Sequence, residues 1–458
     1  MQDSSHFEDS SIQDGSDRPG VDVSGSDKYN NPTPDETGKS ELASRETNHV
    51  KSLRYLLIAV LIAVATGTSI GLFFFTRSSE TKEFKTAFQG QGQKLIDSFQ
   101  EDSQRKLQAL DSLSSRLTAF ALDTNATWPL VTATHSTELL EPYRQLADAA
   151  AVQVMPIVPS RQRNDWEDYA VENQGWITKD LAHQGITEDS RNLESITPYI
   201  KNYVGIDTTP GRWVVWWQYA PVIADRYFVN FNRLAWEGFA QEVAQIENQM
   251  AVLSRTWNFE PGLDYQSTQD FNFMDELLSA GGSGTYEPGE PIGYVHYPVF
   301  DSYEDSTKKT VAIVTATVYW RSYFQDILPE TVEGIYCVVS NTLAQVFTYR
   351  IDGHQAKFLG MEDLHDTKYD KYVVHANYND FQDRADTGYT GALLDDSYIS
   401  YQIKIYPSSD LESEYVTERP YLYAGLLFFV FLFTVGIFSL YDCVSKNGIV
   451  CCFLQWKC

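Results

Sequence analysis

Tyr55-Leu-Leu-Ile-Ala-Val-Leu-Ile-Ala-Val-Ala-Thr-Gly-Thr-Ser-Ile-Gly-Leu-Phe-Phe-Phe75 is a run of 21 residues without a charge. As a helix it spans roughly 31 Å, which matches a bilayer hydrocarbon core of ~30 Å. A second uncharged run of the same length, Tyr421-Leu-Tyr-Ala-Gly-Leu-Leu-Phe-Phe-Val-Phe-Leu-Phe-Thr-Val-Gly-Ile-Phe-Ser-Leu-Tyr441, follows Pro420. Proline suits the first turn of a helix, and tyrosines at the ends of such runs suit the membrane–water interface. The two runs predict two transmembrane helices, 55–75 and 421–441.

The first run begins after 54 polar residues, too far in for a cleavable signal peptide with a short basic start, and so reads as an uncleaved signal-anchor. Lys51 and Arg54 precede it, Lys446 and Lys457 follow the second run, and Arg77, Lys82 and Lys85 weaken the asymmetry. The expected topology is multi-pass in the plasma membrane, with both termini cytosolic and residues 76–420 outside. The triplet Asn125-Ala-Thr127 places a glycosylation acceptor at Asn125 in that outer segment. Cys337 is the only cysteine between the runs, so this segment has no intrachain disulfide and must fold on packing alone. Cys443, Cys451, Cys452 and Cys458 lie beyond the second run, where S-palmitoylation and plain reduced thiols are both open.

Around the runs the composition changes sharply. Residues 1–54 hold six basic against eleven acidic residues and few aliphatics; they bury too little apolar surface to offset chain entropy and are expected to be a disordered cytosolic tail. The outer segment is strongly acidic, and the whole chain carries a formal charge of −27. Electrostatic nucleic-acid binding is thereby excluded, since it requires basic patches. Residues 442–458 form a short cytosolic tail.

Directly after the first run, apolar residues at Phe84, Phe88, Leu95, Phe99, Leu107, Leu110, Leu113, Leu117 and Phe120 recur at helical spacing. They predict a long helix over 83–122 that continues the membrane helix outward, with one turn weakened by Gly90 and Gly92. Further helices are expected at Thr137–Ala151 and Leu234–Leu253. Strands are expected at Val152–Val158, Trp213–Tyr219, Gly293–Val299, Thr310–Tyr319, Ile335–Ser340, Val346–Ile351 and Ser400–Tyr406. Thr256–Pro291, with Gly281-Gly282-Ser283-Gly284 inside it, reads as a long loop between lobes at about 124–255 and 290–410. The fold class is α+β: a long membrane-proximal helix with one or two antiparallel sheets.

No phosphate-cradling glycine loop, HExxH or Gly-x-Ser-x-Gly is present, and no catalytic residue or cofactor is assigned. Glu362-Asp363-Leu364-His365-Asp366-Thr367-Lys368-Tyr369-Asp370 gathers oxygen and imidazole groups, but its spacing matches no established metal-ligand pattern such as the EF-hand loop, so no metal site is assigned. Nine of ten tryptophans lie between the runs. The groupings Trp166/Tyr169/Trp176 and Trp213/Trp216/Trp217/Tyr219, with Arg161, Arg163 and Arg212 near them, suggest a small-ligand site in which arginine meets a carboxylate, its candidate residues being Arg163, Trp166, Tyr169, Trp176, Arg212, Trp213 and Trp217. Core packing is the other reading of the same residues, with alternation placing Trp213, Val215 and Trp217 on one strand face and Val214 and Trp216 on the other. In the first run Ala59, Ala63, Gly67 and Gly71 recur every fourth residue, a candidate dimer face or a seat for the second span.

Met155-Pro-Ile-Val-Pro159 followed by Arg163-Asn-Asp-Trp166-Glu167, and Tyr297-Pro-Val-Phe300 followed by Val311–Tyr319 and Trp320-Arg-Ser-Tyr-Phe324, resemble motifs of CHASE-type extracellular sensor domains. Glu172-Asn-Gln-Gly-Trp176, Trp320–Pro329, Phe347-Thr-Tyr-Arg-Ile-Asp-Gly353 and Leu364-His-Asp-Thr-Lys-Tyr-Asp370 are similar to the ectodomain of receptor-type guanylate or adenylate cyclases of diatom-like algae. The resemblance covers roughly residues 80–442. It implies a PAS/Cache-like sensor fold outside, two spans, and a cytosolic cyclase domain. After Val444 the sequence departs from that pattern, and seventeen residues remain past Tyr441. The expectation is a non-enzymatic, receptor-like chain that senses an unknown extracellular small ligand and forms homo- or heterodimers with related receptors. The alternatives are a truncated gene model of a receptor cyclase and a non-signalling surface or adhesion protein.

Overall fold

The computed structural model describes residues 36–185, 197–236, 238–259, 268–281, 287, 289–304, 307–377 and 399–455. The chain divides into two units: the residues up to Leu72 together with those from Leu422 onward, and Phe73–Tyr421.

The first unit holds the two apolar stretches. They belong to helices α1 (Glu36–Asp123) and α8 (Arg419–Gln455), the last helix of the chain. The segments His49–Asp123 and Ser409–Tyr441, which contain these stretches, are long and apolar enough to cross a membrane. The hydroxyls of Thr66, Thr68, Thr434 and Ser439 donate to carbonyls one turn back in their own helices, so these polar groups are satisfied without water. The expected disordered tail is corrected in part: Glu36–Arg54 is helical and runs without a break into the apolar stretch. Residues 1–35 lie outside the described residues.

The second unit is mixed α and β. Its first sheet is built from β1 (Ala151–Val158), β2 (Lys201–Asn202), β3 (Gly205–Ile206), β4 (Trp213–Trp216), β5 (Gln218–Ala220), β6 (Phe231–Asn232), β7 (Val252–Leu253), β8 (Ile292–Phe300) and β9 (Thr310–Tyr319). The strand order is β3-β2-β6-β4-β1-β9-β8-β7, with β5 alongside β1. Pairing is antiparallel except between β2 and β6, where it is parallel. The expected strand Trp213–Tyr219 is interrupted at Trp217, so β4 and β5 pair with different halves of β1.

Strand β1 divides its side chains between two cores. Val152 and Val154 enter one core, while Ala151, Met155 and Ile157 enter another. On the second side lie α3 (Arg163–Asn173), α4 (Gly175–His183), α5 (Phe239–Glu247) and α6 (Thr268–Ala280). Helix α6 falls inside the segment expected to be a loop; Phe273, Met274, Leu277 and Leu278 give it a buried face at helical spacing. The helix expected at Thr137–Ala151 is α2 (Ser136–Leu146), and β1 already begins at Ala151. Its first turn is fixed by Asp180 of α4, which accepts from the Ser136 hydroxyl and from the Thr137 backbone amide.

On the other side of the first sheet the part of α1 beyond the apolar run packs through Phe84, Phe88, Leu95, Phe99, Leu110, Leu113 and Leu117, seven of the nine positions of the stripe visible in the sequence. Ser114 and Thr118 fasten it to β8 by donating to the carbonyls of Pro298 at 2.6 Å and Phe300 at 2.9 Å. The same core includes the inner face of a second sheet: β10 (Ile335–Asn341), β11 (Val346–Asp352), β12 (Gln355–Gly360), β13 (Val374–Asn377) and β14 (Tyr401–Pro407). This sheet is antiparallel throughout, in the order β12-β11-β10-β14-β13. Gly353 makes the β11–β12 turn at φ +59, where a Cβ would stand 2.9 Å from Glu330 Cα. Strands β8 and β9, expected in a second lobe starting near residue 290, belong to the first sheet; the second sheet begins at Ile335. A short helix, α7 (Ser409–Tyr415), follows β14 and is capped by the Ser408 hydroxyl, which accepts from the amides of Asp410 and Leu411.

Candidate functional site

Of the seven side chains singled out for a ligand site, four rings meet in one cluster and Arg163 pairs with Trp213. Trp166 of α3, Trp176 of α4 and Trp217 meet edge to face, with ring centroids 5.0 Å apart for Trp166–Trp217 and 6.3 Å for Trp176–Trp217. Tyr169 packs 5.9 Å from Trp166. Its hydroxyl and the Trp217 indole both donate to Thr132 Oγ1 at 2.8 Å. The Arg163 guanidinium lies 4.8 Å over the Trp213 ring and donates to Glu167 Oε1 at 2.9 Å and to the Asp207 carbonyl at 2.5 Å. Arg212 is drawn elsewhere, to Glu247 of α5 at 2.6 Å. Trp216 faces the opposite way, against Phe228, Trp236 and Phe273, as alternation requires. Trp166, Trp176, Trp213 and Trp217 are buried. The arginines that were to meet a ligand carboxylate are bonded to carboxylates and a carbonyl of the protein itself. The tryptophans are packed against neighbouring side chains of the protein.

Three buried polar groups carry unusual electrostatics. Glu290, in the loop before β8, has burial pushing its carboxyl up to about 7, against the opposing pull of Arg321 at 3.0 Å, while Tyr349 of β11 donates to it at 3.3 Å. His296 in β8 sits between Thr315 Oγ1 at 2.7 Å and Glu242 Oε2 at 3.3 Å. The sequence of hydroxyl, imidazole and carboxylate is that of a nucleophile relay, but Thr315 and His296 are both fully buried in the sheet interior, where no substrate reaches the hydroxyl. Burial lowers the His296 pKa and keeps the ring neutral, in opposition to Glu242. Lys106 of α1 is fully buried beside Asp102, and its ammonium lies 4.6 Å over the Tyr323 ring; burial lowers its pKa against the pull of Asp102.

A different set of residues joins the two ends of the second unit, Phe73–Tyr421. Thr417, between α7 and α8, donates its hydroxyl to Glu80 Oε1 at 2.8 Å and its amide to Glu80 Oε2 at 3.2 Å. Its carbonyl accepts from Arg77 Nη1 at 3.2 Å. Next to this clasp Phe73 packs on Tyr421 with ring centroids 4.8 Å apart. The residues leading into the two apolar helices therefore stand side by side. Sequence reasoning used the charges near the runs only for orientation and missed the pairing; a long-range contact across 337 positions leaves no local signal.

Asn125 is exposed just past the end of α1, at φ +53, with Thr127 exposed beside it. Ala59, Ala63, Gly67 and Gly71 are exposed, and a Cβ added at either glycine would meet nothing within 4 Å. The shielded side of that helix is instead formed by Ala65 and Ser69, with Ile58 and Leu61 partly covered. The small-residue stripe is thus not a seat for the second span. Among the described residues no group of three or more His, Cys, Asp and Glu side chains is placed to hold a metal ion. In comparison with known proteins, no protein-family model matches the chain and no curated protein matches it.

Proposed function

We propose that the chain is a two-span, receptor-like protein of the plasma membrane, with both termini cytosolic. Its outer unit, of the CHASE/Cache kind, senses an extracellular small ligand and acts by pairing with related chains. The observation that carries this reading is the clasp of Arg77 and Glu80 on Thr417. Ends bonded together in this way would let the two apolar runs that follow them in sequence enter one membrane from the same face, which supports the reading. Such a region transmits a signal if a ligand prefers one arrangement of the clasped ends over another, because only differential affinity shifts an equilibrium. The motif resemblance to receptor cyclase ectodomains and the mixed α/β architecture support the same reading. The open stripe Ala59, Ala63, Gly67 and Gly71 is the proposed pairing face.

The test is topological first. Expressed in cells with tags at each end, the chain should acquire a glycan that disappears in Asn125→Gln, while both tags stay inaccessible until the membrane is permeabilised. A glycan-free chain with the Phe73–Tyr421 unit protease-sensitive only from the cytosol overturns the receptor reading. Thermal-shift screening of the full chain in detergent against metabolite libraries then tests ligand sensing. One observation favours a second reading, a surface or adhesion protein: the β2–β3 hairpin exposes Tyr203, Val204 (92% exposed) and Ile206, an apolar tip suited to contact. Loss of cell–surface attachment in Val204→Asp, with no ligand found, would favour that alternative.

A further inference from the structure

After β12 ends at Gly360, residues 361–373 run as a strap across the outward face of the second sheet. Thr348 of β11 pins its start, donating to the Glu362 carbonyl at 2.6 Å and accepting from the Leu364 amide at 3.1 Å. His365 then lies flat on Tyr406 of β14, with ring centroids 3.7 Å apart and planes 11° from parallel. A short 3-10 turn, Thr367–Tyr372, carries the strap around to the core side. There the Tyr369 hydroxyl donates to Glu412 of α7 at 2.9 Å, and Tyr372 packs edge to face on Phe84 of α1 at 5.3 Å. Val374, at the strap's end, closes on Gly92 of the same helix, 3.0 Å from where a Cβ would stand.

Both ring nitrogens of His365 face carboxylates: Nδ1 the Asp363 side chain, Nε2 Asp370 Oδ1 at 2.7 Å. A neutral imidazole has one donor and one acceptor, whereas a carboxylate only accepts. Two ionised carboxylates on opposite edges are satisfied together only by the doubly protonated ring. The ring's stacking on Tyr406 adds a cation–π contact in that state. We propose that the His365 imidazolium is a proton-operated latch: it holds the strap on the second sheet, and its deprotonation releases the strap and the strap's grip on α1 at Phe84.

The charged neighbours leave this pair of carboxylates as the groups that decide. On the strap, Lys368 is paired with Glu412 at 3.3 Å. On β11, Arg350 is bonded to Asp352 and Asp410. On β14, Lys404 lies two residues from Tyr406, opposite His375 of β13, and on β10 the residue opposite Tyr406 is Tyr336. Asp366 caps the 3-10 turn by accepting from the Lys368 amide at 3.0 Å. Partial burial disfavours the charged ring, but the bonds to Asp363 and Asp370 prevail and raise its pKa. The latch is therefore closed below the ordinary histidine range, ~6.5, and opens as pH rises through the raised value. It is a property of the strap and stands apart from the sensing of a small ligand.

Hydrogen exchange of the full chain in nanodiscs, read by mass spectrometry over residues 361–373 and corrected for the intrinsic pH dependence of exchange, tests it. Protection should be severalfold greater at pH 5.5 than at pH 8.5, because the bonds to Asp363 and Asp370 favour the protonated ring and so couple its protonation to strap closure. His365→Gln should show the weak protection at both values, and Asp370→Asn should move the midpoint to lower pH. Equal protection of the wild-type strap at the two pH values overturns the proposal, as does an undiminished step in His365→Gln. Should His365→Gln fail to fold, an unmoved midpoint in Asp370→Asn overturns it equally.

Discussion

Glu290 shows how far a single side chain departs from what its residue type announces. Nothing in a chain with 62 acidic residues marks this one; only the folded structure, which buries it beside Arg321 and Tyr349, lifts its carboxyl to about 7. Between the unfolded value, ~4.5, and 7 the folded state holds a proton that the unfolded state has lost. Stability from this group is then complete below pH 4.5 and is lost as pH rises to 7. Glu290→Gln should flatten that dependence: chemical denaturation at pH 5 and pH 8 should show the wild type losing about 3 kcal/mol more than the variant across the interval. An equal slope in both proteins would remove Glu290 as the cause. His296 acts in the opposite sense, because its buried ring stays neutral while the unfolded ring gains a proton below ~6.5, so stability falls with acid there. The aromatic residues teach the same lesson at the candidate site. Trp166 and Trp176 drew attention as a ligand cluster, yet they are the inward positions of two short helices, α3 and α4, whose mixed composition hid their periodicity.

At the scale of elements, what was legible depended on length and on one-sided burial. The part of α1 beyond the apolar run was readable because seven of the nine apolar positions marked in the sequence enter one core. Strands β8 and β9 were readable as β-rich runs, but their assignment to the first sheet was not, since pairing partners are chosen by tertiary contacts. Helix α6 was hidden by the glycine-rich stretch after it. The break at Trp217 was hidden because buried strands read as continuous apolar runs. The two glycines of α1 separate local from tertiary effects. Gly90 has open space where a Cβ would go, whereas Gly92 has Val374 at 3.0 Å. Gly90→Ala should therefore raise stability by up to about 1 kcal/mol, the helix-propensity difference. Gly92→Ala should gain clearly less or lose, because the new methyl meets the strap. Thermal unfolding of the two variants side by side checks this, and equal gains would remove the close approach.

For the molecule as a whole, the two uncharged runs and the mixed α/β class were visible at once, while the bonding of one end of the Phe73–Tyr421 unit to the other was not. Thr417→Val removes the hydroxyl that donates to the Glu80 side chain and should destabilise the unit by about 1–3 kcal/mol. Its first readout should be increased hydrogen exchange around residues 77–80 and 411–417; unchanged exchange there would show the clasp to be idle. The closeness of Phe73 to Tyr421 also makes the unit transplantable. Its start and finish nearly touch, so a short Gly/Ser bridge between them, with a new opening cut at the exposed Tyr203–Val204 tip, would yield a circularly permuted water-soluble version without rearranging a single strand.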